Sequence, residues 1–287
     1  MRETDLSSVL VFGASGAVGD FLLPQLAARG ERVLAVSRSA RAHADDVEWL
    51  RGDLCAEMPV LPRADAVLSL GPLDAFAAWF ARAALADVKR VVALSSMSAQ
   101  SKRDSIDPAE RAVSARLRDA EASLTRTARE RGIACTIFRP TLIYGAGRDR
   151  SLAPIARFAR RWRVLPVPRG AHGLRQPVHA ADLAAAFSAA IDNESTYGKV
   201  YELGGGERLR FGDMIARLAA GPPRVALPLP VPLAWMRAGA RLARGRIGAG
   251  ALARMTEPLI ADNAAAAADF GYAPRAFVAG DALGPRL

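Results

Sequence analysis

Three glycines spaced to hold a phosphate stand near the start of the chain, in Gly13-Ala14-Ser15-Gly16-Ala17-Val18-Gly19. Glycine permits the tight turn and lets backbone come close to a pyrophosphate, which then rests on the N–H groups opening the next helix. The motif follows an apolar run at residues 8–12 and leads into helical spacing, the context that a dinucleotide fingerprint requires. Its spacing is G-x-x-G-x-x-G, not G-x-G-x-x-G. Contacts to the cofactor are expected from Gly13, Ser15, Gly16, Ala17, Val18 and Gly19. The end of the second strand separates two cofactors. A carboxylate there would take the ribose 2′-hydroxyl of NAD, whereas an arginine suits the 2′-phosphate of NADP. The chain has Ser37-Arg38-Ser39, with no acid before Asp45, so NADP(H) is expected over NAD(H) through Ser37 and Arg38. Asp53 and Leu54, after a third strand, are placed at the adenine edge. Gly71, after the fourth, lets backbone pass close to the cofactor.

The elements that must position these residues alternate. Apolar strand-like runs at 8–12, 32–36, 47–50, 65–70, 88–94 and 133–138 are separated by helical patterns at 17–29, 73–85 and 108–131. Such alternation implies βαβ units with right-handed crossovers: an α/β, Rossmann-type, doubly wound parallel sheet. Residues 180–191 and 199–203 read as a helix and strand rejoining that sheet. The expected division is a dinucleotide-binding domain over 1–205, with 140–178 contributing to the cleft. A smaller, mainly helical C-terminal substrate lobe then spans 206–287. Residues 222–232 read as a proline-rich connection, and the alanine run at 264–268 as part of a helix.

The formal charge is +10 with 51% hydrophobic residues, so a sizeable core is available and anionic partners are favoured. Two cysteines, Cys55 and Cys135, exclude a disulfide scaffold and suit a reducing compartment. No His, Cys, Asp or Glu set has metal-ligand spacing, so no metal is expected. The polar start Met1-Arg2-Glu3-Thr4-Asp5 lacks the apolar stretch of a signal peptide, and a cytoplasmic location is expected. With 6% aromatic residues and no stacking pattern, nucleic-acid binding is disfavoured.

Several segments together resemble the extended and atypical short-chain dehydrogenase/reductases, the NAD-dependent epimerase/dehydratase group. They are the 13–19 loop, Arg51-Gly52-Asp53-Leu54, Leu94-Ser95-Ser96, and Phe138-Arg139-Pro140-Thr141-Leu142-Ile143-Tyr144-Gly145. Gln176-Pro177-Val178-His179-Ala180-Ala181-Asp182, Tyr201-Glu202-Leu203-Gly204-Gly205 and Phe270-Gly271-Tyr272-Ala273-Pro274-Arg275 complete the set. The resemblance adds Ser95, Pro140, Thr141 and Leu142 to the cofactor-binding residues, and it makes Ser96 the residue that holds a substrate oxygen.

Active members of that group carry Tyr-x-x-x-Lys on the helix after the fifth strand. There the tyrosine exchanges a proton and the lysine lowers its pKa. Glu121 aligns with a glutamate that follows the lysine, which puts Val113 and Leu117 at the tyrosine and lysine positions. Both groups are missing. A positioned general acid contributes roughly 10²–10⁴-fold to rate. Another donor would be needed, and the candidates are Tyr144, His179, His172 and Lys102, with Ser98 beside Ser96. Two functions follow. One is an NADP-dependent oxidoreductase or epimerase-like enzyme acting on a carbonyl or alcohol, such as a nucleotide sugar. The other is a non-catalytic NADP(H)-binding sensor or structural subunit of a larger assembly.

Arg148, Arg150, Arg157, Arg160, Arg161, Arg163 and Arg175 crowd the segment expected to line the cleft, which points to a small anionic substrate. Arg237, Arg241 and Arg244 share one helical face within residues 228–247. That helix is expected to pack on the sheet domain, with peripheral membrane contact the less favoured reading and a homo-oligomer also allowed.

Overall fold

Alternate residues of a strand point to opposite faces, so a sheet buried on both sides needs two separate covers. In β1 (Ser8–Phe12) Val9 and Val11 face one way and Leu10 and Phe12 the other, and all four are buried. The structure, a computed structural model, describes residues 8–39, 47–56, 58–85, 87–149, 151–221, 226–235 and 255–283.

Seven parallel strands form the central sheet. β2 (Arg32–Ser37) and β3 (Val47–Arg51) lie on one side of β1, while β4 (Ala66–Ser69), β5 (Arg90–Leu94) and β6 (Ala134–Pro140) lie on the other. β11 (Val200–Leu203) closes the far edge beside β6, giving the order β11-β6-β5-β4-β1-β2-β3. Strand order therefore reverses between β1 and β4, the switch point of a doubly wound sheet. This is the architecture expected from the alternating pattern.

On one face, Leu22 and Leu26 of α1 (Gly19–Ala28) and Leu183 and Phe187 of α6 (Ala180–Ala190) cover Val9, Val11, Leu68 and Val92. On the other, Phe76 and Phe80 of α2 (Leu73–Phe80) and Leu124 of α4 (Pro108–Glu130) cover Leu10, Phe12, Val67 and Val91. Each such side chain contributes about 1.5–3 kcal/mol when fully buried. α4 starts where Pro108 follows Asp107, whose carboxylate accepts the Ala109 N–H at 2.9 Å.

A third core lies beyond the sheet's carboxyl edge. It gathers Tyr144 of β7 (Ile143–Tyr144), Leu152 of α5 (Leu152–Trp162), Leu165 of β8 (Val164–Arg169) and Met214 and Leu218 of α7 (Phe211–Ala220). Two short pairs support it: β7 with β10 (Val178–His179), and β9 (Leu174–Arg175) with β12 (Leu209–Arg210). α8 (Ala264–Phe270) packs Ala266 into the first core.

The proline-rich connection differs from expectation. Residues Leu227–Pro232 form β13, parallel to β8. Prolines fall at 228, 230 and 232, every second position, so the residues between them keep their N–H groups for the ladder. Leu227 donates to the Arg163 carbonyl at 2.8 Å. The periodicity that reads as an irregular linker is the one an edge strand tolerates. The helix carrying Arg237, Arg241 and Arg244 lies outside the described residues.

Arg90 joins α6 to the sheet from within. It is 4% exposed, and its guanidinium donates to the carbonyls of Ala190, Ile191 and Ala134 and to the hydroxyls of Thr136 and Thr196. It also lies 4.6 Å from the Tyr197 ring. Burial lowers its pKa to about 10, which still leaves it charged at neutral pH, held at the negative end of α6. Arg90→Met should cost about 2–4 kcal/mol in urea unfolding, because it strips partners from buried carbonyls and hydroxyls. A loss below about 1 kcal/mol would show that those groups find water instead.

Candidate functional site

The switch point is built from backbone. Gly13 has φ +71°, and a Cβ on it would sit 2.7 Å from the Gly71 nitrogen, so the loop after β1 and the loop after β4 touch. A Cβ on Gly19 would meet the Ala14 carbonyl oxygen at 1.9 Å, which holds the start of α1 against the turn. Within the loop only Gly16 bonds back, to the Gly13 carbonyl at 2.9 Å. α1 has no side-chain cap, and the N–H groups of Ala17 and Val18 have no backbone partner among the described residues. Unpaired helix-opening N–H groups beside a close-approach turn fit the pyrophosphate of a dinucleotide.

A cleft of about 840 Å³ opens there. Its floor is Gly16, Ala17, Val18 and Gly71, and one wall is Ser96, Met97, Ser98 and Lys102. Pro140, Thr141, Leu142 and Arg148 form another, and Arg175, Phe211 and Glu257 close the far end. Of the residues expected to bind cofactor, Gly16, Ala17, Val18, Gly71, Pro140, Thr141 and Leu142 thus line one cavity. Gly13 and Gly19 act behind it through backbone, and Ser15 gives its carbonyl to Arg148.

The adenosine-side candidates lie away from that cavity, at the β2 and β3 ends. Ser37 is buried, and its Oγ accepts the Ser39 N–H at 3.3 Å. Arg38 is exposed. Asp53 accepts the Cys55 N–H at 3.0 Å, and Leu54 packs on the sheet's α2/α4 side. Ser95 does not face the cleft. Its hydroxyl donates to Glu121, which also holds Arg139, so this buried trio ties α4 to the ends of β5 and β6. The Glu121 pairing raises the Arg139 pKa.

Ser96 stands in the cleft wall, and its Oγ accepts the Ser98 N–H at 3.1 Å, which opens α3 (Ser98–Ser101). α3 packs on α4 where Ser114 donates to the Ala99 carbonyl at 2.7 Å. Val113 and Leu117 are outside the cleft lining, and α3 supplies that wall instead. Lys102, one of the proton-donor candidates, lines the cleft with Glu110 3.8 Å away.

Two proton-donor candidates are buried and absent from the cleft lining. Tyr144 is fully buried; its hydroxyl accepts the Val278 N–H at 3.1 Å and its ring packs on Phe277, and burial pushes its pKa up to about 12. His179 is 4% exposed, and its Nδ1 accepts the Ala181 N–H at 3.1 Å, capping α6. Burial and nearby Arg275 lower its pKa, so it is neutral in the fold. Both lie behind the cleft. His172 is exposed and also outside it.

The arginines sort differently from expectation. Arg148 and Arg175 line the cleft, Arg150 lies outside the described residues, and Arg157, Arg160, Arg161 and Arg163 are exposed on and beside α5. Arg148 reaches across the cleft mouth, donating to the Ser15 carbonyl at 3.2 Å and pairing with Asp20 in the first turn of α1. Asp149 accepts N–H groups of Ser151, Leu152 and Ala153 to start α5, and its Oδ2 stays buried without a partner. The far wall, Phe211 and 255–259, carries no sequence signal, since only tertiary folding brings it to the glycine loop.

Comparison with known proteins places this geometry. The model of the NAD dependent epimerase/dehydratase family matches residues 69–204. The chain is 28% identical over 254 residues to the NADH dehydrogenase [ubiquinone] 1 alpha subcomplex subunit 9, mitochondrial, of Arabidopsis thaliana, with 77% of this chain aligned. It spans 60% of the length of that relative. Among solved structures, a UDP-glucuronic acid 4-epimerase from Bacillus cereus in complex with NAD superposes with a TM-score of 0.72 at 14% identity, covering 96% of both chains. The Bordetella bronchiseptica enzyme WbmH in complex with NAD+ gives 0.69 at 15%, covering 97% of this chain and 96% of that one. The resemblance drawn from the sequence is thereby borne out. The chain has a Rossmann fold, and residues 69–204 resemble the NAD dependent epimerase/dehydratase family without its Tyr-x-x-x-Lys pair.

The cap at His179 has a pH signature. A histidine neutral in the fold, with its pKa below the unfolded 6.5, favours folding above that value; the benefit is lost as pH falls from there toward the folded pKa. His179→Asn keeps a cap acceptor but removes the titration. Between pH 7 and pH 5 the wild-type melting temperature should therefore fall further than that of His179→Asn; equal slopes would remove His179 as the cause.

Proposed function

We propose that this chain binds a nicotinamide dinucleotide in the cleft, NADP(H) in preference to NAD(H), and serves as a non-catalytic binding subunit or sensor. The observation that carries this reading is the contrast within one cleft. The phosphate-binding loop keeps its glycines and unpaired N–H groups, while Tyr144 and His179 are sequestered in the core and the Tyr-x-x-x-Lys positions hold Val113 and Leu117. Bound nicotinamide would supply a hydride acceptor or donor. Ser96, bound to the Ser98 N–H, offers a hydroxyl but is a poor acid by itself. The relative described as a subunit of NADH dehydrogenase supports an assembly role.

The preference for NADP(H) rests on Arg38, exposed at the end of β2, and on the lack of an acid between Ser37 and Ala44. Arg148 adds a second charged contact. It lies against the loop that would carry the pyrophosphate, and Asp20 competes for it. A phosphate in the same place would take the guanidinium as a stronger, charge-assisted partner.

A second reading, an NADP-dependent oxidoreductase or epimerase-like enzyme for an anionic carbonyl or alcohol substrate, is favoured by Ser96 and Lys102 lining the same cleft. Fluorescence titration with NADPH and NADH, followed by a carbonyl panel at saturating cofactor, separates the two. NADPH should bind more tightly, and Arg38→Ala should weaken NADPH about tenfold while leaving NADH nearly unchanged, as loss of one charged hydrogen bond predicts. Arg148→Ala should weaken both cofactors and Asp20→Asn should strengthen both; movement in the same direction would make that pair a mere staple. Turnover that falls in Ser96→Ala would overturn the non-catalytic reading. Failure of either cofactor to bind would overturn the site itself.

A further inference from the structure

Positive charge is unevenly placed along this chain. Residues 151–181 and 214–256 contain thirteen arginines and no lysine, aspartate or glutamate. Everything else holds 26 basic and 29 acidic residues, so the net charge of +10 resides in those two segments. Their described parts include α5, most of α7, β8 and β13, which pack as one unit around the third core.

The outer side of that unit is also apolar. Trp162 is 62% exposed and Phe158 45%, their rings 6.3 Å apart, and the Arg161 guanidinium lies 5.5 Å from the Trp162 ring. Leu227, 61% exposed, begins β13 where its N–H meets the carbonyl of Arg163, next to Trp162. Leu229 and Trp235 extend the exposed apolar surface along the same strand and just past it.

The edge beside this surface narrows what it can receive. β13 pairs with β8 alone among the described strands, and Pro228, Pro230 and Pro232 leave no N–H on its free edge. A partner strand therefore cannot add there. Arginine stems covering apolar surface while their heads reach anions, together with tryptophan and leucine, match the chemistry of a bilayer interface. An oligonucleotide would use the arginines and rings but has no use for the leucines.

We propose that the face formed by α5 and the β8–β13 pair docks on an anionic lipid bilayer. Trp162, Phe158 and Leu227 enter the headgroup boundary, and Arg160, Arg161 and Arg163 meet the lipid phosphates. No described helix is long and apolar enough to cross a membrane, so the contact is peripheral. It is independent of whether the cleft holds a dinucleotide.

Flotation of the full chain with phosphatidylcholine vesicles, with and without phosphatidylglycerol, tests this. Binding should require phosphatidylglycerol and weaken steeply with salt. Vesicles with brominated acyl chains should quench the wild-type fluorescence more than that of Trp162→Phe. The double variant Phe158→Ser and Trp162→Ser should bind at least tenfold more weakly with an unchanged melting temperature. So should Arg160→Glu with Arg161→Glu, which gives the same reading if the serine variant fails to fold. Absence of binding at low salt would overturn the proposal. So would serine variants that bind as well as wild type, or displacement from vesicles by an oligonucleotide that binds more tightly.

Discussion

Two stretches of backbone meet at the crest between β1 and β4, at a distance that leaves no room for a side chain. Because Gly13 lacks a Cβ, the loops after these strands can touch, and the chain beyond them can part to opposite faces of the sheet. α1 then leaves on one side and α2 on the other, carrying the residues that cover the two cores. The cleft exists because the strand order reverses there. Its floor is backbone, so what it offers an anion is N–H groups and a helix terminus more than side chains. An alanine at Gly13 would face both a positive φ and a contact with the Gly71 backbone, and neither strain could be relieved without moving the sheet.

Much of this was legible in the sequence because it depends on local patterns. The apolar run at 8–12 and helical spacing after Ala17 report on neighbouring residues alone, and such patterns located α1, α4 and the strands of the alternating series. The glycine loop was legible for the same reason. Tyr144 and His179 show where that reasoning stops. Each has a type suited to proton transfer, but both are buried, Tyr144 against Phe277 and Val278 over a hundred residues away and His179 between Phe21 and Tyr144. Arg148 was placed near the cleft correctly, but its pairing with Asp20 crosses the fold and leaves no trace in spacing. β13 was obscured by its prolines, whose usual meaning as breakers is reversed when they alternate on an edge.

The segments that carry the family resemblance prove to be mostly structural. Gln176 donates to the Gly205 carbonyl and accepts the Ala261 N–H. Asp182 holds Arg275, and Thr141 donates to the Gln176 carbonyl. These bonds lock the loops after β6, β10 and β11 together at the carboxyl edge of the sheet. Resemblance in such residues therefore reports a shared fold with more force than a shared reaction. Losing the tyrosine and lysine of α4 disturbs none of them. That helix is held by Leu124 in the core, Ser114 against α3 and Glu121 against Arg139, all of which are present.

Separating what holds the fold from what performs chemistry makes a binding protein an accessible endpoint for this architecture. A pyrophosphate on α1 needs the glycines and the free N–H groups, and these also make the switch point, so they cannot be lost without the sheet. A proton relay has no such second role. Where only the relay is lost, the backbone features that suit a pyrophosphate remain. The wall that the Val113 and Leu117 positions do not reach is formed by α3, whose serines and Lys102 make it polar. On the proposed reading, the cofactor's binding energy would stabilise the folded chain by mass action, and its presence or oxidation state would be sensed without being consumed.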